Sequence, residues 1–253
     1  MTDPTQPMRL LIVIGAKNEE SQLEKTVRGL EAACSPGQVA GIVLMLAQNA
    51  TEGCRRTADE LCSVEFPIPV EAVVDPSRNL PASLKAVLGG RQDASHTLFL
   101  AADYFLDSSA VAGLVARAAQ DPGTIYKISR AMRGGSFSPD YSPVEVLLYR
   151  LFCVFIRILY SCSITDPAFF VMVMPISLFL ALRFKQASVP FGVEMMYALL
   201  RSKALIAEIP ADNLPRTEMH NSSTIRQRLR YATIAVGMRF MPRKKFFEER
   251  QTQ

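Results

Sequence analysis

An α/β fold, a single domain around a mainly parallel sheet with helices on both faces, is predicted for this chain by three observations. Short apolar, β-rich runs alternate with helix-length segments from Arg9 to Gln120. The connections between them are short, so crossover helices rather than hairpins join successive strands. One run, Leu98-Phe99-Leu100-Ala101-Ala102-Asp103, stays apolar until it ends on an acid. A parallel strand of this kind delivers a charged side chain to the carboxyl edge of the sheet, where open α/β sheets bind their ligands.

The elements follow in order. Residues 9–14 form a strand bounded by Gly15, and Ser21-x-x-Glu24 reads as a capping box opening the next helix. Residues 42–46 form a strand, and a helix over 51–61 follows with Asn49 or Thr51 as its cap. A strand at 70–74 leads to a helix over 81–91, then to the strand that ends at Asp103. Asp107 or Ser108 caps a helix reaching Gln120, and residues 125–128 form the next strand. From Arg130 to Pro143 the chain is rich in Gly, Ser and Pro, a long loop of the kind that usually carries function. An apolar helix at 144–160, a short run at 168–174, a helix at 191–203, a strand at 205–209 and a helix at 225–240 complete the pattern. Residues 1–8 are expected to be a disordered N-terminus, 9–240 the domain, and 241–253 a basic tail.

Composition narrows the class. The chain has 253 residues, 49% apolar and 21% charged, enough for one large core. Its 5 cysteines, Cys34, Cys54, Cys62, Cys153 and Cys162, have no metal-ligand spacing and read as reduced thiols of a cytoplasmic protein. The polar, Pro-containing start carries no basic leader before an apolar stretch, against a cleaved signal peptide. Arg150 and Arg157 interrupt the most apolar segment, which falls short of the roughly 20 residues a membrane span needs. The net charge of +4 hides a basic end, with eight Lys or Arg against two Glu between Arg226 and Arg250. That end either meets anionic headgroups or is a solvated helix face with a loose tail, and no nucleic-acid partner is expected.

Separated segments share one pattern. They are Gly15-Ala16-Lys17-Asn18-Glu19-Glu20, Arg78-Asn79-Leu80 with Lys85 to Gly90, Ala101-Ala102-Asp103, and Ser129-Arg130-Ala131-Met132-Arg133-Gly134-Gly135. Further on stand Ile164-Thr165-Asp166-Pro167, Phe191-Gly192-Val193-Glu194, Glu208-Ile209-Pro210 and Arg216 through Ser223. In this order the chain resembles the inverting nucleotide-sugar glycosyltransferases of the Rossmann-like GT-A fold, and among them the dolichol-phosphate mannose synthase type. The resemblance runs from about Arg9 to Thr224.

The resemblance implies transfer of a sugar from a nucleotide-sugar to an acceptor, with a polyprenyl phosphate as the acceptor type, on the cytoplasmic membrane face. It implies donor contacts from Ala16, Asn18, Glu19, Gln48, Arg130, Arg133, Arg216 and Ser223, and catalytic roles for Asp103 and Asp166. Asp103 would be the metal ligand for Mg²⁺ or Mn²⁺, which bridges the diphosphate and offsets the charge growing on the leaving group. Ala101 and Phe105 stand at the other matching metal positions. Where the family carries acids after its second strand, this chain has Ala47-Gln48-Asn49-Ala50, so the donor base is not implied. Arg130, Arg133 and Arg216 are the alternative source of positive charge.

Several residues keep two readings. Asp166 either orients the acceptor, or acts as a base, or is a turn residue before Pro167. Glu194 suits a helix start, and His96 and His220 read as surface or loop residues without a triad partner. The helix at 144–160 either lies in a membrane interface with Arg150 and Arg157 toward headgroups, or is a core or homodimer helix. A catalytically inactive relative that binds a partner or membrane is the competing function, supported by Ala47, Ala101 and Phe105. A nucleotidyltransferase would want a Gly-rich loop after the first strand, and residues 15–18 offer one glycine.

Overall fold

The computed structural model of the chain describes residues 7–75, 77, 79–102, 106–185, 190–215, 225–242 and 245–247. In chain order the elements are β1 (Leu10–Ala16), α1 (Glu20–Ala33), β2 (Val39–Leu46), α2 (Glu52–Ser63), β3 (Val70–Val74), α3 (Leu80–Gly89), β4 (His96–Ala101) and α4 (Ser108–Gln120). Then come β5 (Ile125–Ser129), α5 (Pro143–Tyr160), β6 (Met172–Pro175), α6 (Ile176–Ala181), α7 (Pro190–Ser202), β7 (Ile206–Pro210) and α8 (Ile225–Arg239). The described strands form one sheet in the order β3-β2-β1-β4-β6-β5-β7. Only β6 among them runs antiparallel to its neighbours, β4 and β5.

Period-two alternation sorts the core into two layers. Leu10, Ile12 and Ile14 of β1 pack with Leu23 and Val27 of α1, Ala58 of α2 and Leu114 of α4. Leu11 and Val13 turn to the other face, with Leu84 of α3, Phe179 of α6, Met196 of α7 and Met238 of α8. Helices therefore cover both faces, as the sequence predicts. Each fully buried Leu or Ile contributes about 1.5–3 kcal/mol to this arrangement.

Side-chain caps fix where the helices begin. Thr51 Oγ1 accepts the Cys54 amide at 3.2 Å, and Asp107 Oδ1 accepts that of Ser109 at 3.1 Å. The expected capping box at Ser21 and Glu24 does not form. The helix starts at Glu20, with Ser21 already inside it, and Glu24 pairs instead with Arg28 at 2.8 Å. A box does form at α5, where the Glu145 amide donates to Ser142 Oγ at 3.3 Å and the Ser142 amide to Glu145 Oε2 at 2.9 Å. Pro143 at the first helical position supplies a preset φ there.

The folded part passes both expected boundaries. Met8 is buried in the first core layer, and Phe246 is buried in the second, with its carbonyl accepting the Arg183 amide at 2.8 Å. His96 is also buried rather than at the surface. Its ring nitrogens meet Ser95 Oγ at 2.9 Å and the Pro122 carbonyl at 3.0 Å, and burial pushes its pKa down. Cys34, Cys54 and Cys153 are buried and all 5 cysteines are free thiols. The short helix α6 and the antiparallel direction of β6 are the elements that sequence reading missed.

Candidate functional site

The parallel strands β1, β2 and β4 end at one edge, with Ala16 level with Leu46 and Gly15 level with Ala101. Backbone hydrogen bonds join the loops beyond them. The Ala47 amide donates to the Ala16 carbonyl at 2.9 Å, that of Ala102 to Gly15 at 2.8 Å, and that of Thr51 to Lys17 at 2.8 Å. Ala16, Asn18, Glu19, Gln48 and Ala101 are thus gathered on adjacent loops. Asp103, Phe105, Arg78, Arg216, His220 and Ser223 lie outside the described residues.

The polar side chains here mostly hold the loops. Glu19 Oε2 accepts the amides of Lys17 at 2.7 Å and Asn18 at 3.0 Å, which turns its carboxylate back on its own loop. Glu20 accepts the Thr51 hydroxyl, and this hydrogen bond is the first cause of its lowered pKa. Gln48 is exposed, and its amide nitrogen donates to the Asp75 carbonyl at 3.2 Å. Methyl groups stand at Ala47 and Ala101, where the resembled motifs carry acids. Among the described residues no group of three or more His, Cys, Asp or Glu side chains could hold a metal ion. The expected metal ligand, Asp103, lies outside the described residues.

A second cluster lies where β5 and β7 end, and here charge is concentrated. Asp166 is fully buried and accepts from the Arg130 amide at 3.0 Å, Arg130 Nε at 2.9 Å, Arg130 Nη2 at 3.1 Å and the Tyr149 hydroxyl. Burial alone would raise the Asp166 pKa, but the Arg130 guanidinium holds it down at about 2. The same guanidinium lies over the Phe169 ring at 4.1 Å from the centroid and over those of Phe137 and Tyr149 at 5.2 Å, a cation–π enclosure. Lys127, also fully buried, donates from Nζ to the Ile128 carbonyl at 2.9 Å, the Asp166 carbonyl at 2.8 Å and Glu208 Oε1 at 3.3 Å. Glu208 accepts the Thr165 and Asp166 amides at 2.6 Å and 3.0 Å. Two cations and two anions thus neutralise one another, and their hydrogen bonds offset the cost of desolvating them.

This network anchors the loop after β5. Gly134 has φ +93°, a conformation that disfavours any Cβ, and a Cβ on Gly135 would lie 2.6 Å from the Ser129 carbonyl oxygen and 3.0 Å from that of Ala211. The paired glycines therefore allow the loop to press against β5 and the segment after β7. Arg133 is exposed on this loop, whereas Arg130 is committed to Asp166. That corrects the expectation that Arg130 faces a diphosphate and that Asp166 has an open carboxylate for acid–base work. Glu194 is likewise buried and tied, accepting the Lys185 amide at 2.9 Å. Lys127 and Tyr149 were missed by sequence reading. Their one sequence signal was Lys127, a lysine inside an otherwise apolar run.

No family model matches the chain, and no curated protein matches it. Solved structures do. Glucosyl-3-phosphoglycerate synthase from Mycobacterium tuberculosis, in complex with Mn²⁺, UDP and phosphoglyceric acid, superposes with a TM-score of 0.65 at 14% identity, covering 93% of this chain and 80% of that one. The same enzyme with UDP alone gives 0.66 at 15% identity, covering 93% and 81%. A further structure, described as a mycobacterial protein, gives 0.65 at 13% identity, covering 93% and 76%. At such identities the likeness is one of architecture, and the chain has the single-domain α/β fold of the GT-A glycosyltransferases.

Proposed function

We propose that the protein is a glycosyltransferase that moves a sugar from a nucleotide-sugar donor to an acceptor with inversion. The observation that carries this reading is the convergence of Ala16, Asn18, Gln48 and the Ala101 strand end at one sheet edge, in a fold shared with an enzyme solved with UDP. Ala16, Asn18 and Gln48 line the nucleotide, and Glu19 braces their loop. Arg133 offsets the charge that grows on the departing diphosphate, and Arg216 and Ser223 are assigned to the donor by the resemblance alone. Asp103 is assigned the catalytic and metal-ligand roles that the resemblance implies. Arg130 and Asp166 act as positioning residues, holding the Arg133 loop from behind.

The test is a melting-temperature titration with UDP, GDP and their sugar nucleotides, with and without Mg²⁺ or Mn²⁺. One nucleotide at 100 times its Kd should stabilise the protein by about 2.7 kcal/mol. Asp103→Ala should reduce that shift. No shift with any nucleotide would overturn the reading. The competing reading, a relative that binds without turnover, is favoured by Ala47 and Ala101, and a nucleotide shift without sugar release would support it.

A polyprenyl-phosphate acceptor, and with it attachment to the membrane surface, is the finer part of the proposal. It is supported by an uncovered apolar stripe on α5, formed by Val144, Leu147, Leu151, Val154 and Ile158, the last 75% exposed. Among the described residues no helix is long and apolar enough to cross a membrane. Helix α8 packs beside α5 through the Arg239 Nε to Leu159 carbonyl hydrogen bond at 2.9 Å and exposes Leu229 and Val236, with Phe240 exposed just past its end. Arg150, Arg157 and Arg230 are exposed on the same two helices, and α8 contains no acid. A two-fold homodimer through this face would bring the arginines of both copies into one interface, whereas anionic headgroups complement them. Arg150→Glu with Arg157→Glu should weaken co-sedimentation with phosphatidylglycerol vesicles; unchanged partitioning, or a dimer that persists without vesicles, would remove this part.

A further inference from the structure

We infer that Lys17 is a further donor-binding residue, whose ammonium group meets the diphosphate of the nucleotide-sugar at the end of β1. This role rests on the transfer reading proposed above. β1 lies between β2 and β4 in the sheet, so the residue after its last position stands between the loops that follow those two strands. Lys17 is that residue, and it is exposed. Its carbonyl accepts the Thr51 amide at 2.8 Å, which fixes its backbone against the start of α2. A lysine carries its charge on a flexible four-carbon stem, long enough to cross the spacing of about 4.8 Å to either neighbouring strand.

The charges around this edge leave Lys17 unanswered. Alanine stands at Ala47 after β2 and at Ala101 on β4, so neither position offers it a carboxylate. Glu19 turns its carboxylate onto the amides of Lys17 at 2.7 Å and Asn18 at 3.0 Å, and Glu20 accepts the Thr51 hydroxyl. The cations at the start of α2 are committed elsewhere. Arg55 donates to the carbonyls of Gln48 at 2.7 Å and Ala50 at 3.3 Å, and Arg56 pairs with Glu60 at 3.7 Å. Lys17 Nζ has no hydrogen-bond or ion-pair partner among the described residues. Backbone amides do not take its place: those of Lys17, Asn18, Ala47, Ala50, Thr51 and Cys54 are already donated within the protein, unlike the free amides of a phosphate-binding helix start. A diphosphate seated beyond β1 is therefore met by a side-chain ammonium, a compact charge that suits phosphate oxygens.

Ligand-observed NMR titration of the full chain, which also reads weak binding, tests the contact. UDP and GDP are each set against their nucleosides, uridine and guanosine, with Mg²⁺ present. At least one diphosphate should bind the wild-type protein more tightly than its nucleoside. Lys17→Gln should weaken that diphosphate by about tenfold or more, the scale of one charge-assisted hydrogen bond, and leave nucleoside affinity and the melting temperature of the free protein unchanged. Lys17→Arg, which keeps the charge, should restore most of the loss. Unchanged diphosphate affinity in Lys17→Gln overturns the inference, as does an equal loss for the nucleoside or in Lys17→Arg. A diphosphate that binds the wild-type protein no more tightly than its nucleoside overturns it as well. Those outcomes leave the transfer reading standing, whereas no binding by either diphosphate removes both.

Discussion

The two ends of the sheet edge differ in what their polar groups do. Around β1, β2 and β4 the described loops carry alanine at Ala47 and Ala101 and an exposed amide at Gln48. Around β5 and β7 four charged side chains, Lys127, Arg130, Asp166 and Glu208, are packed into one buried network. The exposed neutral amide and the buried charges that hold the fold thus lie at different parts of the edge. The lesson is that a carboxylate matching a family motif can serve the scaffold: Asp166 spends its acceptors on Arg130 and Tyr149.

The sharpest way to break this comparison is Asp166→Asn. It leaves the Arg130 guanidinium buried and unpaired, and breaking such a pair costs about 3–5 kcal/mol, to be read from urea denaturation. The pH dependence gives the sign. Asp166 has a folded pKa near 2 against an ordinary 3.8, so its stabilisation is complete above about pH 4 and is lost as pH falls toward 2. A shift of this size is worth on the order of 2 kcal/mol, and Asp166→Asn should lack that part of the acid limb in stability measured from pH 5 to pH 2.

Gly135→Ala comes next. Its Cβ would press on two backbone carbonyls that cannot swing aside, so about 1–3 kcal/mol should be lost in the same denaturation assay. Gln48→Ala is the smallest. An exposed amide with one long hydrogen bond should change stability by less than about 0.5 kcal/mol. The same variant should nonetheless weaken the nucleotide-induced rise in melting temperature, which separates ligand-facing from scaffold polarity.

Local rules made much of the fold legible. The apolar strands, the Thr51 and Asp107 caps and the placement of helices on both faces follow from patterns within a few residues. The capping box shows the limit of such rules. Ser21-x-x-Glu24 and Ser142-x-x-Glu145 look alike, but Pro143 at the first turn marks the second as a real helix start, whereas α1 already begins at Glu20, one residue before Ser21. The antiparallel direction of β6 depends on partners far along the chain. The pairing of Arg130 with Asp166, 36 residues away, was equally out of reach, because nothing beside either residue names its counterpart. For the candidate site, the resemblance grouped Ala16, Asn18 and Gln48 as donor contacts, and the sequence could not tell an open carboxylate from a tied one.

The antiparallel strand also sets an order of events during synthesis. β4 pairs with β1 on one side and with β6 on the other, so its second edge stays open until Met172 and the residues after it leave the ribosome. The half-sheet β3-β2-β1-β4 is complete well before then. A nascent chain halted at the end of α5 therefore carries a bare, apolar strand edge, the template on which unfinished α/β proteins aggregate or recruit chaperones.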